Sequence, residues 1–161
     1  MTHAAQSHSA ILGYEFRNAG LLQQAFTHRS YAHEAKHRGV QHNERLEFLG
    51  DAVLALVISE HLTRADLHAS EGQLSKHKAR LVSEGTLAGA ARRLELGAHL
   101  RLGRGEEVTK GRAKPSLLAN AFEAVLAAIY LDGGLEAARA FTVAALRLDG
   151  EALDQALTDG D

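Results

Sequence analysis

Apolar positions cluster most densely in two stretches of the chain, "RLEFLGDAVLALVISEHL" (45–62) and "SLLANAFEAVLAAIYLDGG" (116–134). In both, apolar residues recur near the helical period of about 3.6. β-branched residues are sparse and scattered, and there is a single proline, so the expected fold class is all-α. Leu21 and Leu22, with Ala25 and Phe26 one turn on, predict a short helix ending near "THRSY". The polar run from Glu34 to His42, with Gly39 inside it, reads as a loop. Asn43 is placed to cap the next helix, with Glu44 in its first turn. Ser70 opens another helical pattern over 70–96, broken or bent near Ser83 to Gly85. "GRGEEVTKGRAKP" (103–115) reads as a glycine-rich charged loop. The Gly133-Gly134 pair stops the second apolar helix, and a last helix covers 135–148 before a polar tail. No fixed-period repeat and no second domain is visible, so residues 1–150 are expected to form one domain and 151–161 a tail.

Composition narrows the classes. A chain of 161 residues with 45% apolar residues suffices for one core. Without an apolar run long enough to cross a bilayer or a basic-then-apolar leader, the chain is expected to be soluble. Zero cysteines exclude disulfides, thiolate metal sites and cysteine nucleophiles, and fit a reducing cytoplasm. The formal charge of -2 gives no hint of a polyanionic partner. Among ten histidines, His3, His8, His33, His37, His61 and His68 lie in polar stretches and read as solvated.

Two candidate metal sites adjoin each other in "HEAKHRGVQHNERLEFLGD" (33–51). The first is H-E-x-x-H, which binds zinc when both histidines share a helix face. Here His33 and His37 lack an apolar stripe to anchor such a helix, and Gly39 argues against regular structure as far as His42. A solvated loop is the better reading. The second is Glu44, Glu47 and Asp51, spaced i, i+3, i+7. At about 100° per residue they fall within about 60° of one another, on a stripe about 10 Å long. An amphipathic helix with its charged line in water would show the same pattern. The second apolar helix tips the balance, because Glu123 is the only charged residue in "LLANAFEAVLAAIY", with Asn120 one turn earlier. Oxygen donors on two apolar helices, without His or Cys, suit Mg²⁺ or Mn²⁺ and phosphoryl chemistry.

"HNERLEFLGDAVL" resembles the signature of the ribonuclease III family, endonucleases that cut double-stranded RNA. The segments "LLQQAFTHRSYAHE", "SEGQLSKHKARLVSEGTLA", "LELGAHLRLGRGEE" and "KPSLLANAFEAVLAAIYLDGG" resemble further blocks of the family in the right order. Together they cover nearly all of residues 10–146. The resemblance implies an all-α endonuclease domain working as a homodimer, with an active-site valley and with Phe48 and Leu49 in or near the dimer seam. It implies that Asp51, Glu123 and Glu47 hold Mg²⁺ (with Mn²⁺ able to substitute), with Asn120 on the metal side. Asp51, Glu123 and Glu44 are then the catalytic set, Glu44 through site geometry or RNA contact. Glu71 matches an acidic position near the RNA path. Asn120 departs from the family's usual "LADxxEA": it is either a natural variant of an active enzyme or the mark of a weakened or inactive duplex-RNA binder.

The implied reaction is metal-assisted hydrolysis of duplex RNA to 5′-phosphate and 3′-hydroxyl ends, in cytoplasmic processing of ribosomal and messenger precursors. Duplex RNA is read by shape, phosphates and 2′-hydroxyls, so sequence specificity should be low. Candidate phosphate contacts are Lys76, Lys78 and Arg80, then Arg101, Arg104, Lys110, Arg112 and Lys114, where glycines would let the backbone approach phosphates. Members of the family commonly carry a basic RNA-binding domain after the nuclease. Here 151–161 reads as the start of that linker, and without the module, RNA affinity should be weak and salt-dependent.

Overall fold

A computed structural model describes residues 3–36 and 39–150. Among them the chain forms ten α-helices: α1 (His3–Leu12), α2 (Ala19–Ala25), α3 (Arg29–Glu34), α4 (Glu44–Ala65), α5 (Glu71–Leu81), α6 (Glu84–Arg93), α7 (Leu96–His99), α8 (Arg104–Val108), α9 (Pro115–Gly133) and α10 (Leu135–Ala145). A 3-10 turn spans Gly111–Ala113. The described residues form no strand beyond one parallel bridge between Thr27 and Arg101, so the all-α expectation holds.

The core is built around α9. Every residue from Ala121 to Ile129 is buried, Glu123 included. A helix apolar on all sides has to be covered on all sides, and α9 is packed against α4, α6, α10, α2 and α7. By length and composition this helix could cross a membrane, contrary to the sequence expectation, but its neighbours make it a core helix. Pro115 starts it, and Gly134, at φ 88°, ends it with its amide donating to Tyr130 O.

Its principal partner is α4. The two backbones meet so closely at Gly50 that a Cβ there would lie 1.8 Å from the Glu123 carbonyl oxygen. Glycine is therefore the residue that lets α4 and α9 touch, and the next residue of α4 is Asp51. Cap chemistry sets the smaller helices. Ser70 and Gln73 form a reciprocal capping box on α5, and Ser83 caps α6, which is the break expected near Ser83 to Gly85.

Several expectations are corrected. Asn43 occupies the N-cap position of α4 but makes no capping bond; its amide donates instead to Ala25 O (3.0 Å) and its backbone N–H to Thr27 O (2.9 Å). A tertiary tie has displaced the local cap. The short helix expected to end near "THRSY" does so as α2, but a further helix that was not expected, α3, starts after His28. The presumed loop 103–115 contains α8 and the 3-10 turn. Its Gly103 is needed for packing, since a Cβ would lie 2.7 Å from Ser30 O. His8 is not fully solvated: half-buried, it meets the His99 ring nitrogen at 3.1 Å and packs on Phe26. His61 is also half-buried, its Nε2 3.3 Å from Leu148 O, whereas His33 and His68 are exposed. His37, the His3 side chain and the 151–161 tail lie outside the described residues.

Candidate active site

The acidic stripe of α4 faces a cleft of about 600 Å³ whose opposite wall is the start of α9. Glu44, Glu47 and Asp51 line it from α4, and Ser116, Asn120 and Glu123 from α9. The cleft is also lined by residues to which sequence reasoning assigned no role: His28 and Arg29 at the start of α3, and Glu106 of α8. The signal for the first two lay in "THRSY", where two cationic or ionisable side chains follow a buried threonine.

Asp51 and Glu123 come together across the α4–α9 contact. Glu123 is only 9% exposed, and its Oε2 is sealed from solvent with no hydrogen-bond donor among the described residues. Burial, a hydrogen bond with the Asp51 carboxyl and the charges of Asp51 and Glu47 push the Glu123 carboxyl up to about 8. Glu47 is raised as well, by burial and then by the charges of Glu44 and Asp51. Two carboxyl groups this close can share a proton or a cation, but cannot both stay ionised at no cost. Among the described residues no three His, Asp or Glu side chains converge into a ready-made metal cage. The set Glu47, Asp51, Asn120 and Glu123 is thus a facing pair with Glu47 at Coulomb range and Asn120 one turn before Glu123 on the cleft wall. Hard oxygen donors with an orphaned buried oxygen fit Mg²⁺ or Mn²⁺, which would displace the proton that Glu123 holds.

Around the pair, Arg29 bridges to Glu44 at 3.4 Å, at the exposed mouth of the cleft. His28 is drawn below its ordinary pKa by burial, against the opposing charge of Glu106. Phe48 lines the same cleft yet is 83% exposed, whereas Leu49 is half-buried against the core.

The family model that matches the chain is described as ribonuclease-III-like and covers residues 18–148. The chain belongs to the ribonuclease III family. It is 56% identical over 128 residues to a ribonuclease 3 from Caldanaerobacter subterraneus and 51% identical over 152 residues to one from Heliobacterium modesticaldum. These alignments take in 80% and 93% of this chain, but 56% and 63% of the relatives, so the chain spans rather more than half of their length. The nuclease domain of ribonuclease III from Campylobacter jejuni superposes with a TM-score of 0.83 at 37% identity, over 93% of this chain and 98% of that one. A second structure of that domain, concerned with flexibility in its dimer-forming region, gives 0.82 at 39% identity, over 88% and 95% of the two chains.

The basic residues divide into two groups. Arg112 pairs with Glu107 and donates to the carbonyls of Gly97 and Leu100, holding the end of α7. Lys114 pairs with Glu106 at 3.0 Å, and Arg101 lies over the Tyr31 ring at 4.2 Å. These three are engaged within the fold. Lys76, Arg80, Arg104 and Lys110 are exposed, and Lys78 is half-buried. Glu71, in the first turn of α5, accepts from Ser75 Oγ and does not line the cleft.

Proposed function

We propose that this chain is a metal-dependent endoribonuclease that cuts both strands of duplex RNA, leaving 5′-phosphate and 3′-hydroxyl ends, in cytoplasmic processing of RNA precursors. The observation that carries this reading is the meeting of Asp51 and Glu123 from two core helices in an open cleft, with Glu123 Oε2 left without a partner. Asp51 and Glu123, with Glu47 behind them, would hold Mg²⁺, and Mn²⁺ would take the same oxygens. A divalent cation there supplies Lewis acidity toward the phosphodiester and its attacking water. Asn120 offers a neutral carbonyl oxygen from the α9 wall and keeps an orienting donor. Glu44, tethered to Arg29, holds the mouth of the cleft in shape. Lys76, Arg80, Arg104 and Lys110 are free to take phosphates along the duplex, with Glu71 at the edge of that path.

A homodimer belongs to the same reading. Phe48 stands 83% exposed beside the cleft and Leu56 is 55% exposed two turns along α4, an apolar line suited to a self-complementary two-fold contact with Leu49 at its base. The second reading is a duplex-RNA binder that cuts weakly or not at all, and Asn120 is the observation that favours it, because a neutral side chain adds no charge to the cation site. Incubation with duplex RNA in Mg²⁺, Ca²⁺ or EDTA separates the two. Cleavage in Mg²⁺ that disappears in Glu123→Gln supports the nuclease; a gel shift without cutting supports the binder.

A further inference from the structure

His28 has a hydrogen-bond environment that dictates which of its ring nitrogens carries the proton. It is the N-cap of α3, and its Nδ1 accepts from the Ser30 backbone N–H at 3.1 Å. Ser30 Oγ lies 2.7 Å from the same Nδ1. That hydroxyl in turn accepts from the Gly103 backbone N–H at 2.8 Å, which directs its own hydrogen toward the imidazole. With two donors aimed at Nδ1, the ring hydrogen has to sit on Nε2. Nε2 lies on the far side of the ring from Ser30, has no partner among the described residues, and belongs to a side chain lining the acidic cleft.

A cleft walled by Glu44, Glu47, Asp51, Glu106 and Glu123 repels a polyanion except where donors stand. Arg29 is already engaged with Glu44, and the Asn43 amide with Ala25 O. We propose that His28 is a substrate-positioning residue whose Nε2–H donates to an acceptor oxygen of the RNA backbone beside the scissile phosphate. This rests on the nuclease reading of the same cleft. The Gly103–Ser30–His28 chain also ties the donor to the loop that precedes α8. The aim of the donor is therefore set by two segments far apart in sequence.

The substitution that isolates this role is His28→Asn. Asparagine is among the strongest N-caps and can accept from the Ser30 N–H, so α3 keeps its cap while the cleft loses the Nε2–H. His28→Asn should melt within a few degrees of the unchanged protein, yet lose about tenfold or more in kcat/KM on duplex RNA in Mg²⁺, as befits a hydrogen bond to a charged group. Its Kd for the duplex in Ca²⁺ should rise about fivefold or more. Duplexes carrying one phosphorothioate or one 2′-deoxy substitution at the cut site identify the oxygen, because His28→Asn will be insensitive to the change at the atom it no longer contacts. Long-range ¹H–¹⁵N spectra of the unchanged protein should show a protonated Nε2 and a bare Nδ1. A protonated Nδ1, or a variant whose kcat/KM and Kd both stay within about twofold of the unchanged protein, overturns the proposal. If the unchanged protein cuts nothing in Mg²⁺, the nuclease reading falls, and the spectrum and the Ca²⁺ binding comparison still decide the role of His28.

Discussion

Glu123 concentrates the electrostatic tension of the molecule: a nearly sealed carboxyl facing Asp51 on a helix otherwise apolar around it. Its ordinary value is 4.5 and its folded value about 8, so over that interval the folded chain holds a proton that the unfolded chain has released. The stability this group contributes is complete below about pH 4.5 and is lost as the pH rises through about 8. In EDTA, denaturant midpoints should therefore contain a downward component across that window, absent in Glu123→Gln, whose amide does not titrate. Identical pH profiles for the two proteins would contradict this. Asn120 makes a second residue-scale prediction. A carboxylate there adds ligand charge without moving the backbone, so Asn120→Asp should reach half-maximal cleavage at a several-fold lower Mg²⁺ concentration. A Mg²⁺ titration of duplex-RNA cleavage reads it directly.

At the scale of elements, what the sequence disclosed follows from how each helix is stabilised. α4 and α9 were legible because their burial writes itself as an apolar period, and α5 and α6 because Ser70 and Ser83 cap them locally. α3 and α8 were not, since six- and five-residue helices carry no period of their own. They are held by long-range bonds such as Ser30 with Gly103 and Glu34 with Arg104. For the same reason Arg112 looked like a free phosphate ligand in sequence and is a brace in the fold. The acidic stripe of α4 was legible from spacing, but its meeting with Glu123 depends on the Gly50 contact, which no single-helix pattern displays. Gly50→Ala should accordingly cost about 2–3 kcal/mol or more, because the clash is with backbone that cannot rotate aside. Thermal melts give the cost. A variant as stable as the parent would mean that α4 and α9 do not depend on this close approach.

For the whole molecule, assembly and metal binding each carry a test. The exposed Phe48 places an apolar group next to a charged cleft, an arrangement that is unfavourable in an isolated chain and natural at a two-fold seam. Phe48→Glu should shift the sedimentation coefficient from dimer toward monomer; a parent that sediments as a monomer at the same concentration would refute the seam. The metal claim has a more direct readout. With the Glu123 carboxyl pushed up to about 8, most molecules at neutral pH carry a proton on it, and a cation bound there must expel that proton. Calorimetric titration of Mn²⁺ at about pH 7, repeated in buffers of different ionisation enthalpy, counts that proton. Release of close to one proton per ion bound is expected, and in Glu123→Gln no release and at least about tenfold weaker binding. Equal affinity in the two proteins, with no proton released by either, would contradict it.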